Sequence, residues 1–136
     1  MVDAFEATEE HVKNMMPAFM VLGGKVMAIE DEDVRKKVVA PKTPEEEAWR
    51  KEAFDKGKAG ETMTKEEFAT LQTVMADHDK ETKGAGLYFN AEESAVVYDC
   101  INAVTPGVDG VTWDDVFNKM KKIHDKKKEM DAAAKQ

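Results

Sequence analysis

Phe54-Asp55-Lys56-Gly57-Lys58-Ala59-Gly60-Glu61-Thr62-Met63-Thr64-Lys65-Glu66-Glu67-Phe68 is the stretch on which the fold turns. An apolar residue closes one helix, a glycine-bearing loop follows, and Thr64 stands where its hydroxyl can cap a second helix with acids behind it. A capping hydroxyl accepts from backbone N–H groups that have no partner inside the helix, and carboxylates are favoured at that end by the helix dipole. The pattern recurs. Ile29-Glu30-Asp31-Glu32-Asp33-Val34 and Val111-Thr112-Trp113-Asp114-Asp115-Val116 align with Met63 to Phe68 without a gap, and Phe89-Asn90-Ala91-Glu92-Glu93 lacks only the final apolar residue. Taken as an internal repeat, these copies predict four loop-to-helix exits and an all-α chain.

The stretch resembles the helix-loop-helix calcium site of the EF-hand family, in a degraded form. That site takes oxygen ligands from alternate loop positions and a closing carboxylate at the twelfth, with glycine at the sixth. With Asp55 first, Gly60 falls sixth and Glu66 twelfth, but Gly57 and Ala59 stand where side-chain oxygens are needed. The resemblance implies EF-hand-like pairs joined by a short two-strand ribbon between the paired loops, Thr62-Met63-Thr64 against the β-prone Val111-Thr112-Trp113. Calcium is the one cofactor it suggests, with weak or absent binding, because no loop supplies a full carboxylate set. The metal candidates it leaves are Asp55, Glu61 and Glu66, and a second group of Asp77, Asp79 and Glu81 in the run Asp77-His78-Asp79-Lys80-Glu81. That run begins with the alternation of a calcium loop, yet Glu92 and Glu93 come too late to close one, so it reads as an expanded loop or a solvated linker.

Taken in order, the chain divides into 1–42, a vestigial N-terminal helical pair; 43–125, a degenerate EF-hand pair; and 126–136, a polar helical tail. Val12, Met15, Met16, Phe19 and Met20 recur at helical spacing, with Pro17 predicting a kink or two short helices meeting near Asn14 to Met16. Leu22-Gly23-Gly24 is expected to end that element, leaving Lys25 to Ala28 as a vestigial loop. Thr43-Pro44-Glu45-Glu46 opens a helix that carries Trp49 and Ala53 on one face. Phe68, Leu71, Val74 and Met75 form the next stripe, then Val97, Ile101 and Val104, then Val116, Phe117, Met120 and Ile123. Thr105-Pro106-Gly107-Val108-Asp109-Gly110 is a shortened last loop with a single acid.

At 136 residues the chain is long enough to bury a sizeable core. Its apolar runs fall far short of the roughly 20 residues of a membrane span, and Met1 to His11 lacks the basic start and apolar core of a signal peptide. A cytoplasmic protein is expected. The lone Cys100 reads as a small buried hydrophobe, and a net charge of −8 argues against nucleic acid as a partner. His11, His78 and His124 are scattered, and neither Gly23-Gly24 nor Gly84-Ala85-Gly86 has the strand-then-helix setting of a phosphate loop, so no enzyme is expected.

Nine methionines suggest a surface for helices, since flexible thioethers adapt to amphipathic partners. Met15, Phe19, Met20, Met75 and Met120 are the partner-binding candidates. Three functional classes stay open. The resemblance to myosin light chains implies a calcium-insensitive clasp on an amphipathic helix of a protein partner. The resemblance to invertebrate sarcoplasmic calcium-binding proteins implies a buffer or sensor with irregular sites. Relatives that carry luciferins imply a cavity for a small apolar ligand, here lined by Trp49, Trp113, Phe19 and Phe117.

Overall fold

A computed structural model of the chain describes residues 5–40, 42–105 and 107–134. Pro41, Pro106 and the last two positions of the expected tail lie outside the described residues. The described chain is all-helical: α1 Glu9–Met27, α2 Glu32–Val39, α3 Pro44–Gly57, α4 Lys65–Lys83, α5 Ala91–Asn102, and a π-helical segment Asp115–Lys119 that runs into α6 Met120–Ala134. No helix among them is long and apolar enough to cross a membrane.

Local chemistry sets most of the helix starts. Thr8, Thr43, Thr64 and Asn90 each accept from a backbone N–H one turn into the helix they precede. Asp31 does the same for α2, so the second helix is capped by Asp31 and not by Glu30, the residue that the aligned pattern selects. Where α4 ends, Gly84 adopts φ +99°, a left-handed conformation in which a side chain would be strained.

Neither the division of α1 into two short helices at Pro17 nor its stop at Gly23-Gly24 occurs. Pro17 lies inside one continuous element; it is exposed, as is Lys13, whose carbonyl loses its helical partner, so water can satisfy that group. Gly23 and Gly24 do not stop the helix either, and Lys25 to Met27, read from sequence as loop, form its last turn. Tertiary contacts hold that turn: Lys25 pairs with Glu93 at 2.8 Å and lies over the Phe89 ring. There is accordingly no vestigial calcium loop ahead of α2.

α1 packs on α2, α5 and α6, while α3 pairs with α4 and α4 with α5. Segment 1–42 thus shares its core with 43–125. That core gathers Val12 and Met15 from α1, Phe54 from α3, Phe68 and Leu71 from α4, Val97, Tyr98 and Ile101 from α5, and Ile123 from α6. Full burial of a side chain such as Phe54 stabilises by about 2–3 kcal/mol. In the expected polar tail, Met130 still packs against this core.

The loops after α3 and α5 meet. The sequence predicts a two-strand ribbon, and the structure has one antiparallel bridge in its place: the Met63 N–H donates to the Val111 carbonyl at 2.8 Å and the Val111 N–H to Met63 at 3.1 Å. Both residues are fully buried. The next residue on each side, Thr64 and Thr112, is already turned to cap a helix, so the ladder stops after one rung.

Candidate functional site

The two bridged loops close in the same way and are balanced differently. In the first, the acid that folds back is Glu67, three residues after the capping Thr64. Its carboxylate accepts from the backbone N–H of Thr64 and from that of Ala59, both at 2.9 Å. These bonds to backbone hold its pKa below the usual carboxylate value. Glu66, the residue that the aligned loop picks for closing, is exposed. The Thr-x-x-Glu spacing of a capping box was the available signal for Glu67.

Lys58 adds a positive charge to this loop. Its ammonium lies 3.4 Å from the Glu61 carbonyl oxygen, 3.8 Å from the Asp55 carboxylate and over the Phe54 ring. Asp55 is also tied to Lys51 at 2.9 Å, whose hydrogen bond draws its pKa down.

In the second loop Asp115 folds back in the same register and is 2% exposed. It accepts from the Thr112 N–H at 3.0 Å, from the Thr105 hydroxyl at 2.9 Å and from the Lys119 ammonium at 3.0 Å. Burial opposes its ionisation, but those donors outweigh burial and leave its pKa below the usual value. Lys119 also donates to the Thr105 hydroxyl at 2.8 Å and lies over the Phe5 ring, so a protein ammonium neutralises the acid from within. Asn102 caps the loop interior by accepting from the Gly110 N–H at 3.2 Å.

The second group of metal candidates is not a loop. Residues 77–81 are the closing turns of α4, where alternate residues face different directions. Asp77 accepts from the Tyr88 hydroxyl at 2.6 Å, Glu81 is exposed, and Asp79 is buried. Among the described residues no group of three or more His, Cys, Asp or Glu side chains is placed to hold a metal ion. Neither Asp55 with Glu61 and Glu66 nor Asp77 with Asp79 and Glu81 forms such a group.

Asp79 belongs instead to a charge cluster between α3 and α4 that was not anticipated from the sequence. Arg50 Nη2 donates to both its carboxylate oxygens at 3.1 and 2.9 Å, and Arg50 Nη1 lies 3.3 Å from the Met75 sulfur. Lys83 stands 2.7 Å from Glu46 and 3.6 Å from Asp79. His78, between Asp77 and Asp79 in sequence, stacks on Trp49 with ring centroids 3.7 Å apart. The signal for this cluster was spacing, since Leu71, Met75 and Asp79 recur every fourth residue on the buried side of α4.

Of the partner-binding candidates, Met15 is fully buried and fills the core, and Phe19, Met75 and Met120 are half-buried against it. Met20 alone is open, at 71% exposure. It shares one side of α1 with Met16 and Met27, four residues before and seven after it, and the exposed Gly23 and Gly24 lie between. No atom stands within 4 Å of where a Cβ would project from either glycine, so the helix backbone is approachable there. The aromatics expected to line an apolar carrier have these ring partners: Trp113 stacks on Phe117 with Phe54 at its edge, Phe19 meets His124, and Trp49 stacks on His78. No protein-family model, curated protein or solved structure matches the chain significantly.

Proposed function

We propose that this is a non-catalytic, EF-hand-like cytoplasmic protein that holds an amphipathic helix of a protein partner and does so without calcium. The observation that carries the reading is the exposed methionine stripe of α1, Met16, Met20 and Met27, separated by two glycines. Thioethers accommodate varied apolar side chains, and glycines let a second helix approach closely. Independence from calcium rests on Lys119 and Lys58, whose ammonium groups sit at the acids of the two loops. A divalent ion would have to displace an intramolecular cation from Asp115 before it gained a ligand. The acidic exterior, with net charge −8, favours a basic partner helix and makes association faster at low salt.

The test uses a fluorescent basic amphipathic peptide of about 20 residues, enough for some five turns, titrated with protein in calcium and in chelator. Equal affinity in the two buffers, and a loss of at least tenfold in Met20→Glu with unchanged circular dichroism, are the expected results. Affinity that rises with calcium transfers the protein to the buffer or sensor class. Binding by Met20→Glu equal to that of the wild-type chain removes α1 as the docking face.

A further inference from the structure

A cavity of about 170 Å³ opens between α1, α2, α3, α4 and the connection from α4 to α5, away from the exposed methionine side of α1. Leu22, Val38, Leu87 and Phe89 give it apolar walls, and Lys42 and Gln72 give it polar ones. The α4–α5 connection reaches this position because Gly86 lies against α4: a Cβ there would fall 2.6 Å from the carbonyl carbon of Ala76. The wall is therefore built by a backbone approach that only glycine allows.

Two polar groups in it are incompletely satisfied. Gln72 is 7% exposed and its Oε1 has no hydrogen-bond partner. A buried amide atom without a partner costs about 1–3 kcal/mol, so a protein rarely keeps one unless something else completes it. Lys42 makes one hydrogen bond, from its ammonium to the Val38 carbonyl at 3.2 Å. Burial first, then the nearby positive charges of Arg50 and Lys83, push its pKa down to about 8. The other charges at the cavity cancel, because Arg50 is spent on Asp79. With Lys83 beside Glu46, three cations face two carboxylates and leave one positive charge in excess, which Lys42 brings to the apolar walls and to an amide that can turn either its oxygen or its N–H inward.

We propose that this cavity binds a small amphipathic carboxylate, with the carboxylate between Lys42 and the Gln72 amide and the hydrocarbon chain along Leu22, Val38, Leu87 and Phe89. With the Gln72 amide turned so that its N–H takes the place of the unpartnered oxygen, the chemistry fits the walls: an anion offsets the excess positive charge at Lys42, its oxygen accepts from that N–H, and a short chain replaces water on apolar surface. Size limits the ligand. At about 170 Å³ the cavity has room between its walls for a short-chain acid and too little to enclose a long-chain lipid.

Hexanoate, 1-hexanol and hexylammonium, equal in chain length and different in head group, test the inference on the full chain by calorimetry and by chemical-shift mapping. Saturable hexanoate binding is expected, with shifts confined to Leu22, Leu87, Phe89 and their neighbours and affinity at least tenfold above that of hexanol. Hexylammonium is expected not to bind. Lys42→Met should weaken hexanoate at least tenfold while leaving hexanol and the circular dichroism spectrum unchanged, and Gln72→Leu should weaken hexanoate as well. Equal affinity for hexanoate and hexanol, no saturation with either, or full affinity in Lys42→Met overturns it. Met20→Glu should bind hexanoate like the wild-type chain, so this inference stands or falls apart from helix binding.

Discussion

The loops after α3 and α5 share a bridge residue, a capping threonine and an acid three residues on, yet one spends its acid on backbone donors and the other on an ammonium. Glu67 has one methylene more than Asp115 and reaches across its loop to the Ala59 N–H, staying half-exposed. Asp115 is shorter and 2% exposed, and a buried carboxylate needs a counter-charge, which Lys119 supplies from one turn further along. The same exit logic therefore yields a loop closed by hydrogen bonds to the main chain and a loop closed by a buried ion pair. The difference teaches that side-chain length, by fixing how deep the acid must sit, decides whether a cation is required.

Removing the two acids should separate the loops most sharply. Asp115→Ala leaves Lys119 without its main partner and is expected to cost about 3 kcal/mol in denaturant unfolding, near the lower end for a broken buried pair because Lys119 retains the carboxylate of Asp114 at 3.9 Å. The acid side of the pH profile sharpens this. A carboxylate whose folded-state pKa lies below the ordinary 3.8 stabilises above that value and loses its contribution as pH falls through the depressed one. Melts of the wild-type chain and Asp115→Ala should therefore converge toward pH 2, whereas a constant gap would mean that Asp115 acts through packing and not through charge.

Glycines separate the loops next. Gly110 has φ +114°, and a Cβ on it would fall 2.7 Å from the Thr62 Cβ, so Gly110→Ala should cost about 2 kcal/mol. Glu67→Ala should cost about 1 kcal/mol, the usual loss of a cap contact, and an effect as large as that of Asp115→Ala would erase the distinction drawn between the loops. Gly60 has open space within 4 Å of where a methyl would project and no left-handed φ. Gly60→Ala should stay within about 0.5 kcal/mol of neutral; thermal melts of the two glycine variants give the comparison directly.

What could be read in the sequence was local. Thr43, Thr64 and Asn90 announce helix starts because a cap acts within four residues, and the three- and four-residue spacing of apolar positions on α4 and α5 places most of their buried sides, although Val74, read as part of the α4 stripe, is 42% exposed. What was hidden depends on distant partners. Gly23-Gly24 carries a stop signal that Lys25 overrides only through Glu93, and the charged run at 77–81 reads as solvated until Arg50, 29 residues away, is seen against Asp79. Among the metal candidates, Asp55 pairs with Lys51 and Asp79 with Arg50. Lys119 shows no sign of its role until the π-helical segment brings it back over Asp115.

The packing of α1 orders events during synthesis. Its buried side, Val12, Met15 and Ala18, is covered by α5 and α6, which leave the ribosome after everything between them has been made. α3, α4 and α5 are successive neighbours and can associate as they emerge, whereas α1 must wait and then close the longest loop in the molecule. Until then the helix presents methionines on both sides, Met16, Met20 and Met27 on one and Met15 on the other. Apolar surface left bare in this way is the kind that general chaperones recognise.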